Sequence, residues 1–141
     1  MSTEQNKAII RRFYEEFFNQ GKLEVADELH GADFKHYDSG APDPGGGPEG
    51  YKRRNAVFMK AFPDRAVTID DLVAEGDKVV TRSTLRATHT GDLPGVPATG
   101  KRVVVTAIII SRFQDGKIVE EWEDWNALGM LEQLGVLKAP W

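Results

Sequence analysis

The sequence predicts an α+β domain in which a curved antiparallel sheet folds over helices and encloses a pocket. Three observations lead there. Apolar residues in the first 60 or so positions recur at helical spacing, whereas those after about residue 65 alternate with a period of two. The strand-like segments are divided by two-residue turn signals, Gly76-Asp77 and Asp115-Gly116, which favour antiparallel hairpins. Helices grouped before a meander of long strands read as segregated layers.

The elements follow in order. Ser2 with Gln5 three residues later forms a capping-box signature for the first helix. Ile10, Phe13, Tyr14 and Phe17 give that helix one apolar stripe, running to about Gln20, where Gly21 stops it. Leu23 to Leu29 reads as a short second helix, and Asp33 to Tyr37 as a brief extended stretch. Asp38 to Gly47 (DSGAPDPGGG) is rich in Gly and Pro, and a loop of that length in a compact domain is often a lid or binding loop. Pro48 suits a first helical position and Glu49 the positive end of the helix dipole, so a helix is expected over 48–61, ending before Pro63. Strands are expected near 65–74, 78–90, 101–114 and 117–126, with a Pro-rich connection at Leu93–Gly100 and a last short helix over 127–134. With no internal repeat and no linker long enough to divide it, the chain reads as a single domain over residues 1–141.

Composition narrows the function. A length of 141 residues suffices for a core without metal or disulfide staples, and the absence of cysteine excludes a thiolate nucleophile and Cys-based metal sites. The net charge of −4 argues against a nucleic-acid surface. The only basic run, Lys52-Arg53-Arg54, reads as a solvated helix face. The N-terminus is polar and mixed in charge, unlike a signal peptide, and no apolar run approaches the ~20 residues that span a bilayer, so a soluble, cytoplasmic protein without membrane contact is expected. No zinc or calcium spacing, phosphate loop, nucleophile elbow or dinucleotide fingerprint occurs, so any chemistry is expected to be acid/base work without metal or cofactor.

One strand suggests assembly. Val103 to Ile110 is apolar on both faces. One face can cover the helices, while Val104, Ile108 and Ile110 would need a partner, which predicts a homodimer through the sheet.

Three segments together resemble one family. They are Asn6–Gly21 (NKAIIRRFYEEFFNQG), His89–Lys101 (HTGDLPGVPATGK), and Asp115–Asn126 (DGKIVEEWEDWN) with Leu128–Gly135 (LGMLEQLG). In order and without a large insertion, they look like the SnoaL-like ester and polyketide cyclases of the nuclear-transport-factor-two-like superfamily. The resemblance implies a cone-shaped α+β fold with three to four helices and an acid/base pocket for a small, mostly apolar, carbonyl-containing ligand. The superfamily also holds isomerases, epoxide hydrolases and non-catalytic binding proteins, so a hydrolase activating water and a simple binder stay open as alternatives.

Candidate site residues come from strand alternation and residue chemistry. Ile118, Glu120, Trp122, Asp124 and Asn126 share one strand face, assigned here to the interior. Asp124, desolvated beside Trp122, would then be a proton acceptor, the alternative being an Asp at the open sheet end paired with a surface cation. His36, just before the loop, has the pKa for proton transfer or for holding a substrate carbonyl, and the resemblance implies a His–Asp pair there. The resemblance also implies an acid at Asn126, where an amide could only donate a hydrogen bond. Asn126 equally suits the N-cap of the last helix. Tyr14, Phe17, Phe58 and His89 are possible pocket-wall or ligand-binding residues, each with a structural alternative: core packing for the aromatic three, a loop hydrogen bond for His89.

Overall fold

The computed structural model describes residues 2–141. Helix α1 (Thr3–Phe13) starts at Ser2, whose side chain accepts from the Gln5 amide while Gln5 returns the bond to the Ser2 amide, so the capping box is complete. The helix continues as a π-helical stretch over Tyr14–Asn19. A short α2 (Val25–Leu29) follows, then β1 (His30–Asp38), α3 (Gly47–Ala61), and the strands β2 (Ala66–Glu75), β3 (Lys78–Thr88), β4 (Arg102–Gln114) and β5 (Lys117–Trp125). The last element is α4 (Ala127–Gln133).

The five strands form one sheet in the order β1-β5-β4-β3-β2. Strands β2 to β5 form the expected antiparallel meander. The extended stretch around Asp33–Tyr37 is longer than expected and joins the sheet edge parallel to β5. At the β4–β5 turn both Asp115 (φ 51°) and Gly116 (φ 76°) lie in the left-handed region, the geometry of a type I′ hairpin, which explains why an Asp-Gly pair stands there.

Curvature comes from irregularities in register. Asp70 is one extra residue between the pairs Ile69–Ser83 and Asp71–Arg82, and Val119 is one extra residue between Ile118–Phe113 and Glu120–Arg112. Such bulges bend a strand and sharpen its twist. The concave face closes on α1, the π-helical stretch and α3 around Ile10, Phe13, Phe17, Phe34, Tyr51, Ile109 and Phe113. A second cluster, with Phe62, Val103, Val105, Met130 and Leu134, seats α4 at the other end.

The convex face carries an apolar row across all five strands, Tyr37–Trp122–Ile110–Val80–Val73, paired in register. Tyr37 and Trp122 stack at 5.9 Å, and Val104 and Ile108 stay about half exposed on the same face. No helix among the described residues is long and apolar enough to cross a membrane.

Candidate active site

The single extra residue Val119 decides which side chains of β5 face inward. Before it, Ile118 is buried, as expected. After it the alternation is reversed, so Glu121, Glu123 and Trp125 point to the concave side and Trp122, Asp124 and Asn126 to the convex side. The expected interior face is therefore corrected. Asp124 is exposed opposite Ile108, away from the cavity, and Trp122 packs on Tyr37 outside.

Two neighbouring cross-strand rows on the concave face build the site. His36, Glu121 and Ser111 lie directly opposite one another on β1, β5 and β4, and Asp38 and Glu123 form the next row. His36 stands between two carboxylates, with Nε2 3.0 Å from Glu123 Oε1 and Nδ1 3.4 Å from Glu121 Oε1. Ser111 Oγ donates to the other oxygen of Glu121 at 2.7 Å. Asp38 ends β1 and ties three elements together. It takes the Arg54 guanidinium of α3 at 3.2 Å, the Trp125 indole N–H at 2.7 Å and the Gly40 amide at 2.7 Å. Gly40 has to be glycine, because a Cβ there would lie 2.6 Å from Trp125 Nε1.

His36, Asp38, Arg54, Glu123 and Trp125 border a cavity of about 160 Å³. Its walls are largely apolar, with Phe18, Phe58, Met59, Leu85, Val105 and Ile109, and its polar groups include His36, Asp38, Arg54, Asn55, Tyr14 and Glu123. Desolvation in such walls shapes every titration. Burial holds Glu123 above the usual carboxylate range, although His36 pulls the other way. Burial also presses against the charge of Glu121, yet His36 and Ser111 outweigh it and leave this carboxyl below its ordinary value. For His36 burial disfavours the cation, but the adjacent carboxylates of Glu121 and Glu123 win and raise it to about 10. At neutral pH the cluster is thus an imidazolium clamped by carboxylates, with Asp38–Arg54 beside it.

Tyr14 is buried, and its hydroxyl lacks a hydrogen-bond partner among the described residues although Ser83 and Thr81 lie beside it. Burial, then the Glu121 and Glu123 charges, push it well above the ordinary phenol value, so it stays a neutral donor. His36, Asp38 and Glu123 offer three ligand atoms within 4.8 Å, a spacing that could hold a metal ion. Arg54 and the His36 proton already supply positive charge to those carboxylates.

Of the residues singled out by sequence, His36, Tyr14 and Phe58 line the cavity. Phe17 does not; it is fully buried in the core, stacked on Phe13 at 4.7 Å, and the π-helical stretch presents Phe18 to the cavity instead. His89 is also removed from the cavity: its Nδ1 meets the Thr99 hydroxyl at 3.0 Å and amide at 3.2 Å, shaping the Pro-rich connection. Asn126 is the α4 N-cap, its side-chain oxygen accepting from the Gly129 amide at 2.9 Å. The missed residues are Glu121, Glu123, Asp38 and Arg54. The last sits in the basic run read as a solvated face, and helical spacing from Tyr51 to Phe58 was the available signal that one of the three cations turns inward.

Residues 8–134 match the SnoaL-like polyketide cyclase family. The aklanonic acid methyl ester cyclase DnrD of Streptomyces peucetius is 32% identical over 94% of this chain and 90% of its own length. Among solved structures, TsrD of Streptomyces laurentii superposes with a TM-score of 0.87 at 29% identity, covering 97% of this chain and 99% of TsrD. AclR of Streptomyces galilaeus, a candidate hydroxylase, gives 0.86 at 31% identity over 98% and 89% of the two chains.

Proposed function

Because this chain belongs to the SnoaL-like polyketide cyclase family, we propose that it closes a ring in a polyketide ester by removing a proton beside a carbonyl, with Glu123 as the base. The observation that carries this reading is the Glu123 carboxylate at an apolar cavity, raised by burial and bound through one oxygen to His36 at 3.0 Å. A carboxylate in that setting is a stronger proton acceptor than one in water. Both ring nitrogens of His36 face carboxylates, so His36 serves to hold Glu123 and does not act as the base itself.

The step balances on Glu123 alone. Its carboxylate takes the carbon-bound proton, and the C–H electron pair becomes an enolate. The enolate carbon attacks a second carbonyl of the same molecule, forming the C–C bond, and that carbonyl's π pair moves to its oxygen. The resulting alkoxide recovers the proton from Glu123. The Tyr14 hydroxyl, unpartnered among the described residues, and the Arg54 guanidinium are the donors suited to the developing oxyanions. A cavity of about 160 Å³ takes a fragment of roughly one six-membered ring, since a void near 150 Å³ binds benzene. The reacting end of the substrate therefore enters while the remainder stays at the mouth.

Glu123→Gln tests this. Turnover of aklanonic acid methyl ester, or of smaller β-keto esters, is expected to fall about 10²–10⁴-fold with the fold intact. The acid limb of the wild-type kcat/KM profile is expected above the ordinary carboxylate range, because Glu123 must be ionised to act. Full activity in the variant would remove Glu123 from the mechanism. The same reading extends to assembly: the convex apolar row supports self-association of two copies through their sheets, and a monomeric mass by sedimentation at micromolar concentration would count against it.

A further inference from the structure

Glu121 lies outside the cavity wall, almost completely buried, on the concave face. A lone carboxylate buried to this degree is costly, so its partners must account for it. They come from both neighbouring strands. Ser111 on β4 anchors one oxygen at 2.7 Å, and the other oxygen is 3.4 Å from His36 Nδ1 on β1. The three residues are direct register partners, so the backbone ladder itself sets their spacing. On the far side of the ring, Nε2 meets Glu123 at the cavity.

We infer that Glu121 is a positioning residue: its carboxylate, anchored by Ser111, fixes the His36 ring so that Nε2–H stays on Glu123 and one oxygen of Glu123 is left for the substrate. The arrangement passes from Ser111 through Glu121 and His36 to Glu123, a relay of orientation in which no proton needs to travel. Other groups around the ring modulate it without replacing Glu121. Asp38 Oδ2 is 4.0 Å from Nε2 and already occupied by Arg54, Tyr51 of α3 packs on the ring at 5.0 Å, Tyr14 lies by the same two glutamates, and neutral His30 lies further along β1. Only the effect on turnover rests on Glu123 as the base; the state of the His36 ring does not.

The test is Glu121→Gln in the full chain, read by histidine ring ¹³C and ¹⁵N NMR across pH. The His36 midpoint is expected to move down by about 1–3 on the pH scale, the range that one close opposite charge supplies. Turnover is expected to fall in kcat with KM within about twofold, and Glu121→Asp should restore part of the midpoint. An unmoved His36 midpoint in folded Glu121→Gln overturns the inference, as does an Asp variant that restores none of it. If the Gln variant fails to fold, Glu121→Asp against wild type carries the test, a lower midpoint supporting the inference and an equal one overturning it. A lowered midpoint with unchanged kcat supports the positioning of His36 and overturns Glu123 as the base.

Discussion

His30 and His36 sit six residues apart on β1, both buried, and their environments drive them in opposite directions. His30 lies in an aromatic cage, stacked on Phe34 at 4.0 Å and edge-on to Phe13 at 4.9 Å and Tyr51 at 5.4 Å. Neither ring nitrogen has a hydrogen-bond partner among the described residues, and burial lowers it to about 4, so it is a neutral, core-like group. His36 is nearly as buried, but two carboxylates reverse the balance and raise it to about 10. Burial by itself therefore does not fix the charge of a histidine; its nearest ionised neighbours do.

The sharpest way to break this comparison is to remove each ring. His36→Leu leaves Glu121 buried without its cation, and a loss of about 3–5 kcal/mol at neutral pH is expected in chemical denaturation. Part of that loss should return in acid, as the orphaned carboxyl takes up a proton. His30→Leu should act the other way, removing two unpaired polar atoms and leaving stability equal or higher by about 1–3 kcal/mol. Equal costs for the two substitutions would dissolve the contrast.

The pH dependence sharpens it further, and the signs differ. For His30 the folded value, about 4, lies below the ordinary 6.5. The unfolded chain binds a proton that the folded chain refuses, so stability is lost as pH falls from about 6.5 towards 4, and His30→Leu should abolish that loss. For His36 the folded value lies above the ordinary one, so its contribution is complete below about 6.5 and fades as pH rises towards 10. Denaturation midpoints measured from pH 4 to 10 in the wild type and both variants separate the two limbs.

The smallest expected effect belongs to Asp124→Asn. Asp124 is exposed on the convex face, so the change should stay within about 0.5 kcal/mol and leave both histidine titrations in place. A displaced His36 midpoint in that variant would mean that Asp124 communicates with the cavity after all.

Local signals were legible where local chemistry suffices. The Ser2–Gln5 box, the Asp115-Gly116 turn, the N-cap at Asn126 and the helix beginning beside Pro48 are each decided within four or five residues. Tyr14, Phe58 and His36 were found at the cavity because an apolar helical stripe and a loop-edge position narrow the choices. Glu121 and Glu123 were missed for a definite reason. Alternation was carried through β5 unbroken, and Val119, a β-branched residue ordinary in any strand, gives no sign of being the extra residue.

By itself the sequence determined the helices, the turns and the meander, because each rests on spacing within a segment, and its motif segments carried the resemblance to the family. Tertiary structure alone decided which face of β5 turns inward, that β1 pairs parallel with it, and that Arg54 reaches Asp38. It likewise decided that one buried histidine is neutral and the other charged. The physical reason is common to all of these: pairing register and electrostatic environment are set by groups on other strands and helices, dozens of residues away in the chain, and a single slipped residue exchanges one set of neighbours for another.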